Sequence, residues 1–232
     1  MKKIPTLFKR VFSPDHKTKT ILPEVTPGCE SVLEGRCIPT VKWDGACCAI
    51  IDGEIYKRYD AKVGRNGKQK QPPEGAIPCQ PEPDPITGHW PHWVLCDPSN
   101  PADMHFWEAY HNAWLARERK GGVRGQMITP LRDGTYEAIG PAWQGNPYGL
   151  SNNNLIRHGG DKILELSWAE TGHLEGDLDT GLVFVRDKVL SFEMIRDYLR
   201  THEIEGIVFW MNGQPLCKIK RSDFGFPWPV KP

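Results

Sequence analysis

The chain has 232 residues, 39% of them apolar and 25% charged, with 29 basic and 29 acidic side chains. Nine Trp, eight Phe and six Tyr need an interior, which excludes global disorder, and 23 Gly with 21 Pro scattered without period exclude a collagen or a long coiled coil. That length supports one full core or two small ones, and a net charge of zero leaves any contact with a polyanion to local clusters.

No apolar run approaches the roughly 20 residues of a membrane helix. The basic start, Met1 to Thr20, is broken by Pro5 and Pro14 and has no apolar stretch of signal-peptide type. The seven cysteines include no C-x-x-C pair, and Cys47 adjoins Cys48. The expectation is therefore a cytoplasmic protein, without membrane contact, that keeps its thiols reduced.

In chain order, residues 1–28 are basic and Pro-interrupted and read as an irregular arm, with a single domain over 29–232. Val41 to Ile51 reads as a short apolar strand, Asp52-Gly53 as a hairpin turn and Glu54 to Asp60 as the return strand. Ala61 to Trp90 is rich in Gly, Pro and Lys and reads mostly as loop. Pro101 to Lys120 reads as a helix, with Phe106, Trp107, Tyr110 and Trp114 as its core stripe and Gly121-Gly122 as its end. Short strands are predicted at Gly125–Thr129, Thr135–Ile139 and Gly181–Val185. A helix follows with Ser191 as N-cap, burying Phe192, Ile195 and Leu199. Gly206–Trp210, the turn Asn212-Gly213 and Leu216–Lys220 complete a hairpin. Dominant strands with two helices packed on them predict an α+β fold.

Lys42-Trp43-Asp44-Gly45 opens the first apolar run, where an ammonium is costly unless paired or used. Burial beside other cations would free its amine as a nucleophile. Glu137 lies in the strand Tyr136–Ile139, and Glu205 opens the last hairpin. Lys218 and Lys220 close that hairpin and share one face. One nucleophilic lysine, two carboxylates and fixed cations suit attack on a nucleoside triphosphate, with a carboxylate holding the divalent metal.

In this order these elements resemble the covalent nucleotidyltransferase superfamily of ATP-dependent ligases and capping enzymes, and more closely the human-type 5′–3′ RNA ligase family. The resemblance continues through Glu137-Ala-Ile-Gly-Pro, Gly145-Asn-Pro-Tyr-Gly149, Leu155-Ile-Arg-His-Gly159, Glu205-Gly-Ile-Val208 and Cys217-Lys-Ile-Lys220 to Phe224-Gly-Phe-Pro-Trp228. It implies a nucleotidyltransferase (adenylation) domain whose twisted antiparallel sheets form a nucleotide groove. The implied activity is ATP-dependent joining of RNA 5′-phosphate and 3′-hydroxyl ends through lysyl-AMP and an adenylylated RNA 5′ end, with Mg²⁺ or Mn²⁺. By the same resemblance Lys42 takes AMP, while Asp44 and Gly45 shape the turn and contact ribose. Arg58, with Lys57 as a competing choice, binds phosphate or ribose. Glu137 hydrogen-bonds ribose, Glu205 serves the metal, and Lys218 with Lys220 grips the α-phosphate. Trp143, Tyr148 and Trp168 are candidates for adenine stacking, with packing in the core or a lid the favoured reading of each.

Twelve residues follow Lys220, too few for the OB-fold domain of capping enzymes and DNA ligases, so none is expected. Two rival readings remain: a GTP-dependent capping-type guanylyltransferase, and a non-catalytic module that binds nucleotide or RNA ends. Elsewhere, Cys79, His89, His92 and Cys96 have no common zinc-finger spacing and read as packed loop residues. Lys62, Arg65, Lys68 and Lys70 form a basic loop, either simply solvated or in contact with RNA phosphate. Cys47 and Cys48 read as buried thiols.

Overall fold

The computed structural model describes residues 3–13, 19–63, 67–85, 87–121, 131–163, 169–175 and 183–230. The strands are β1 (Phe8–Phe12), β2 (Lys19–Val25), β3 (Ile38–Lys42), β4 (Ala46–Ile51), β5 (Glu54–Ala61), β6 (Ile77–Pro78), β7 (Trp90–Leu95), β8 (Gly134–Ile139), β9 (Asn154–Arg157), β10 (Ala169–Glu175), β11 (Val183–Val189), β12 (Gly206–Met211) and β13 (Gln214–Lys220). The helices are α1 (Glu30–Leu33), α2 (Met104–Gly121) and α3 (Phe192–Thr201). Named strands pair antiparallel throughout, so the architecture is mixed and strand-dominated, compatible with α+β. Among the described residues no helix is long and apolar enough to cross a membrane.

The chain forms two compact units, one built on Trp43–His158 and the other on Ile4–Lys42 with Gly159–Pro232. The first holds a six-stranded sheet in the order β6-β7-β5-β4-β8-β9. Strand alternation sorts its side chains. Cys48, Ile50, Ile55, Tyr136, Ala138 and Leu155 form a core closed by Ala109, Phe106, Trp107 and Tyr110 of α2. Trp114, expected in that stripe, instead stacks on His111 with ring centroids 6.1 Å apart. The β4–β5 turn carries Asp52 and Gly53 at φ 51° and 81°, as a two-residue hairpin with the strands' twist requires.

The second unit holds a three-stranded sheet in the order β13-β12-β3. Ile207, Phe209, Cys217 and Ile219 are fully buried on one face with Ile195 and Leu199 of α3. Ser191 caps α3, its hydroxyl accepting the Met194 N–H at 3.2 Å. Asn212 and Gly213, at φ 51° and 73°, turn β12 into β13.

Two expectations are corrected. Val41 to Ile51 is not one strand. The chain leaves β3 at Lys42 and begins β4 at Ala46, in another sheet, because the Asp44 N–H is given to the Tyr148 hydroxyl at 2.6 Å rather than to a ladder. The stretch expected to be an irregular arm contains the β1–β2 hairpin, and Leu7 and Pro5 bond to the Lys218 backbone along the edge of β13. Ala61 to Trp90 is mostly loop among the described residues, as expected, with the two-residue β6 pairing with β7. Gly125–Thr129 lies outside the described residues, and the strand expected at Gly181–Val185 is described from Val183 as part of β11.

Candidate active site

In the second unit, register brings the lysines together. Gly206 of β12 pairs with Lys42 on one side and Lys220 on the other, and Val208 pairs with Thr40 and Lys218. All three lysines therefore share the sheet face opposite the core. Gly206 is required there, because a Cβ would lie 2.2 Å from the Ile219 carbonyl oxygen. Glu205, 4% exposed, sits immediately before this row. Its Oε2 accepts from Lys42 Nζ at 2.5 Å, and its Oε1 accepts from Lys220 Nζ. A carboxylate this deep is tolerated because both its oxygens meet ammonium groups.

Lys218 differs. Burial pushes its pKa from 10.5 down to about 8, helped by the positive charges of Lys42, Lys220 and Arg10, with Glu205 opposing. Among the described residues no carboxylate is in ion contact with its ammonium. Arg10 is held by Asp223 at 2.6 Å, and Asp223 also accepts the Lys220 N–H at 2.9 Å. The sequence argument expected Lys42 in a groove with two carboxylates and fixed cations, its amine freed by burial beside the cations. The structure pairs it with Glu205, and the lowered lysine is Lys218.

The first unit carries the remaining expected residues. A Cβ on Gly45 would fall 2.1 Å from the Ala138 carbonyl oxygen, so only glycine lets β4 start against β8. Its N–H donates to Glu137 Oε1 at 3.1 Å. Glu137 lies opposite Cys47 in the sheet, and continuing the Cys48–Lys57 pairing sets Arg58 across from Cys47 on the other side. Arg58, Cys47 and Glu137 thus form one row on the face away from the core. Lys57, the competing choice, is one residue out of phase and pairs with Asp103, a buried residue next to α2.

Glu137 Oε2 also meets His158 Nε2 at 2.9 Å, and His158 Nδ1 lies 3.0 Å from Thr135 Oγ1. Sequence reasoning gave His158 no role. Its place in Leu155–Gly159 was the available signal. Burial raises the Cys47 thiol to about 11 and holds Cys48 well above its usual value. Trp143 packs on Phe106 in the core, while Tyr148 sets its ring edge-on to Trp43 at 4.7 Å; Trp168 lies outside the described residues. Cys79, His89, His92 and Cys96 do not converge: His89 binds Asp60, His92 bonds the Trp90 carbonyl, and Cys96 is in the core. Of the basic loop, Lys62, Lys68 and Lys70 are exposed and Arg65 lies outside the described residues.

The arrangement offers two capabilities: a cationic sheet face with two lysines bound to one carboxylate, and a row that presents a guanidinium beside a hydrogen-bonding carboxylate. Both are suited to anionic, hydroxyl-bearing ligands.

Compared with known proteins, the chain is 25% identical over 244 aligned residues to RNA ligase 1 from Pongo abelii, covering 83% of this chain and 69% of that protein. It is distantly similar to an RNA ligase. No family model matches the chain. The motifs named above on sequence grounds and this likeness point the same way.

Proposed function

We propose that the protein is an ATP-dependent RNA ligase that joins 5′-phosphate and 3′-hydroxyl RNA ends. Lys42 Nζ bonds to the α-phosphorus of ATP as the bond from that phosphorus to the pyrophosphate oxygen breaks. The proton that Nζ sheds has an acceptor in Glu205 Oε2, 2.5 Å away. AMP then passes from the lysine to an RNA 5′-phosphate, and a 3′-hydroxyl displaces it. Such phosphoryl transfers depend mainly on positioning and charge neutralisation. The carrying observation is the row Lys42–Gly206–Lys220 with Lys218 one step along the same face. It supplies a nucleophile and fixed cations within one rigid sheet.

In this reading Lys218 and Lys220 hold the α-phosphate, Arg58 binds phosphate or ribose, Glu137 accepts from ribose, and Asp44 with Gly45 shapes the turn. Glu205 fits Mg²⁺ or Mn²⁺ in donor type. Its oxygens are hard ligands, and each keeps a second lone pair beside the lysine contact. The ion, when bound, would neutralise triphosphate charge.

The test is incubation with each α-labelled nucleotide and Mg²⁺, followed by intact-mass analysis. An AMP adduct mapped to Lys42 and absent from Lys42→Ala supports the reading. A GMP adduct alone would replace it with the capping-type transferase. No adduct, in protein shown to arrive without one, would leave a binding module.

A further inference from the structure

Cys47, Glu137 and His158 place one ligand atom each within 4.8 Å of one another on the outer face of the six-stranded sheet. We infer that these three side chains form a binding site for a thiophilic divalent cation, Zn²⁺ in the first instance. Tetrahedral zinc with bonds of about 2.0–2.3 Å sets its ligands about 3.3–3.8 Å apart. With the three ligand atoms within 4.8 Å of one another, closing on an ion takes side-chain shifts of about 1–1.5 Å. Thiolate sulfur, imidazole nitrogen and carboxylate oxygen are each donors zinc takes, three protein ligands leave a fourth position open, and sulfur with imidazole selects against Mg²⁺.

The ligands are also held. Cys47 and Glu137 are direct register partners on neighbouring strands. The His158 backbone N–H donates to the Thr135 carbonyl at 3.0 Å, and its Nδ1 meets Thr135 Oγ1, leaving Nε2 aimed at Glu137. With a metal on Nε2 the ring proton sits on Nδ1 and donates to that hydroxyl, the outer-sphere support metal-bound histidines ordinarily have. Glu137 is fixed by the Gly45 N–H and keeps Oε2 for the ion. Coordination forms a metal–sulfur bond and releases the Cys47 thiol proton to solvent, with no change of oxidation state. Arg58, beside the sulfur, is the neighbouring cation and opposes the metal.

One consequence rests on the function proposed above. A metal on Glu137 occupies the carboxylate assigned to ribose, so Zn²⁺ would act as an inhibitor that competes with nucleotide.

The test uses the intact chain without nucleotide, so an incorrect ligase assignment leaves it unaffected. In equilibrium dialysis the protein should bind Zn²⁺ stoichiometrically in excess Mg²⁺. Cys47→Ser and His158→Gln should each weaken binding by at least about 100-fold, since loss of outer partners alone costs about 10–100-fold. Co²⁺ should give a thiolate-to-metal charge-transfer band that survives in Cys79→Ser and is absent in Cys47→Ser. Equal zinc affinity in wild type, Cys47→Ser and His158→Gln would overturn the site. So would the absence of stoichiometric binding, or a cobalt band lost only in Cys79→Ser.

Discussion

Replacing Lys218 with Met keeps a flexible apolar stem and removes the ammonium, and the variant should be more stable than the wild type at pH 7. Burial and three nearby cations bring this lysine from 10.5 to about 8. At about 1.4 kcal/mol per pH unit, the charged native side chain carries a penalty of about 3 kcal/mol relative to the unfolded chain. Residual hydration of a partly buried group reduces that figure, so the expected gain is about 1–3 kcal/mol. Between pH 8 and 10.5 the native lysine loses its proton while the unfolded one keeps it. The unfolded state then binds more protons, and wild-type stability from this group rises with pH. The buried thiols act oppositely. Cys47 near 11 and Cys96 near 12 stay protonated in the native state after unfolded thiols ionise at 9.0, so their contribution is lost as pH rises. Both proteins share those thiols, so the difference between them isolates Lys218. Urea unfolding at pH 7, 8, 9 and 10 should show the Met advantage shrinking steadily. A Met variant less stable at pH 7, or an advantage independent of pH, would refute the electrostatic argument.

Gly206→Ala places a methyl 2.2 Å from the Ile219 oxygen and should cost at least about 3 kcal/mol, the upper end of ordinary overpacking, read as a lower urea midpoint. An unchanged midpoint would contradict the close approach of β12 and β13. Glu205→Ala leaves Lys42 and Lys220 without their shared carboxylate and should destabilise by about 3–5 kcal/mol while impairing metal-dependent labelling. Wild-type labelling across a magnesium titration would remove Glu205 from the metal role. Lys42→Ala should lose the nucleotide adduct altogether while keeping a cooperative unfolding transition, as intact mass and urea titration together would show.

Local chemistry was readable in the sequence where it is local in the fold. Asn212-Gly213 between alternating runs marked the last hairpin, and Ser191 before Phe192 marked the start of α3. Alternation also placed Lys218 and Lys220 on one face. Where one apolar run serves two sheets, periodicity has nothing to mark the change, and Val41 to Ile51 read as a single strand. The signal was the Asp44-Gly45 break, which only the carbonyl of Ala138 explains. The β1–β2 hairpin was hidden because its strands are not joined by a two-residue turn and β2 contains Pro23, tolerated in an edge strand. That Arg58, and not Lys57, shares a face with Cys47 and Glu137 is read only from the register with Cys47 and Cys48. Glu205, a partner of Lys42, lies 163 residues away, and a strand pattern gives a side chain its face without giving it its neighbour.

Around the outer face of the β13-β12-β3 sheet, the cations Lys42, Lys218, Lys220 and Arg10 outnumber the carboxylates of Glu205 and Asp223 that pair with them. Glu205 gives one oxygen to each of Lys42 and Lys220, Asp223 holds Arg10, and Lys218 faces them without a carboxylate in ion contact among the described residues. A sheet shaped for stability alone gains from an apolar residue at that position, as the Met substitution is expected to show. A ligand bearing several phosphate oxygens removes the imbalance, because each oxygen near Lys218 favours its ammonium and raises its pKa again. If that ligand is the proposed ATP, its binding takes up a proton near pH 8 and weakens at higher pH, when Lys218 enters the encounter neutral. The charge that costs the free protein stability is then the charge that holds the triphosphate in line with Lys42.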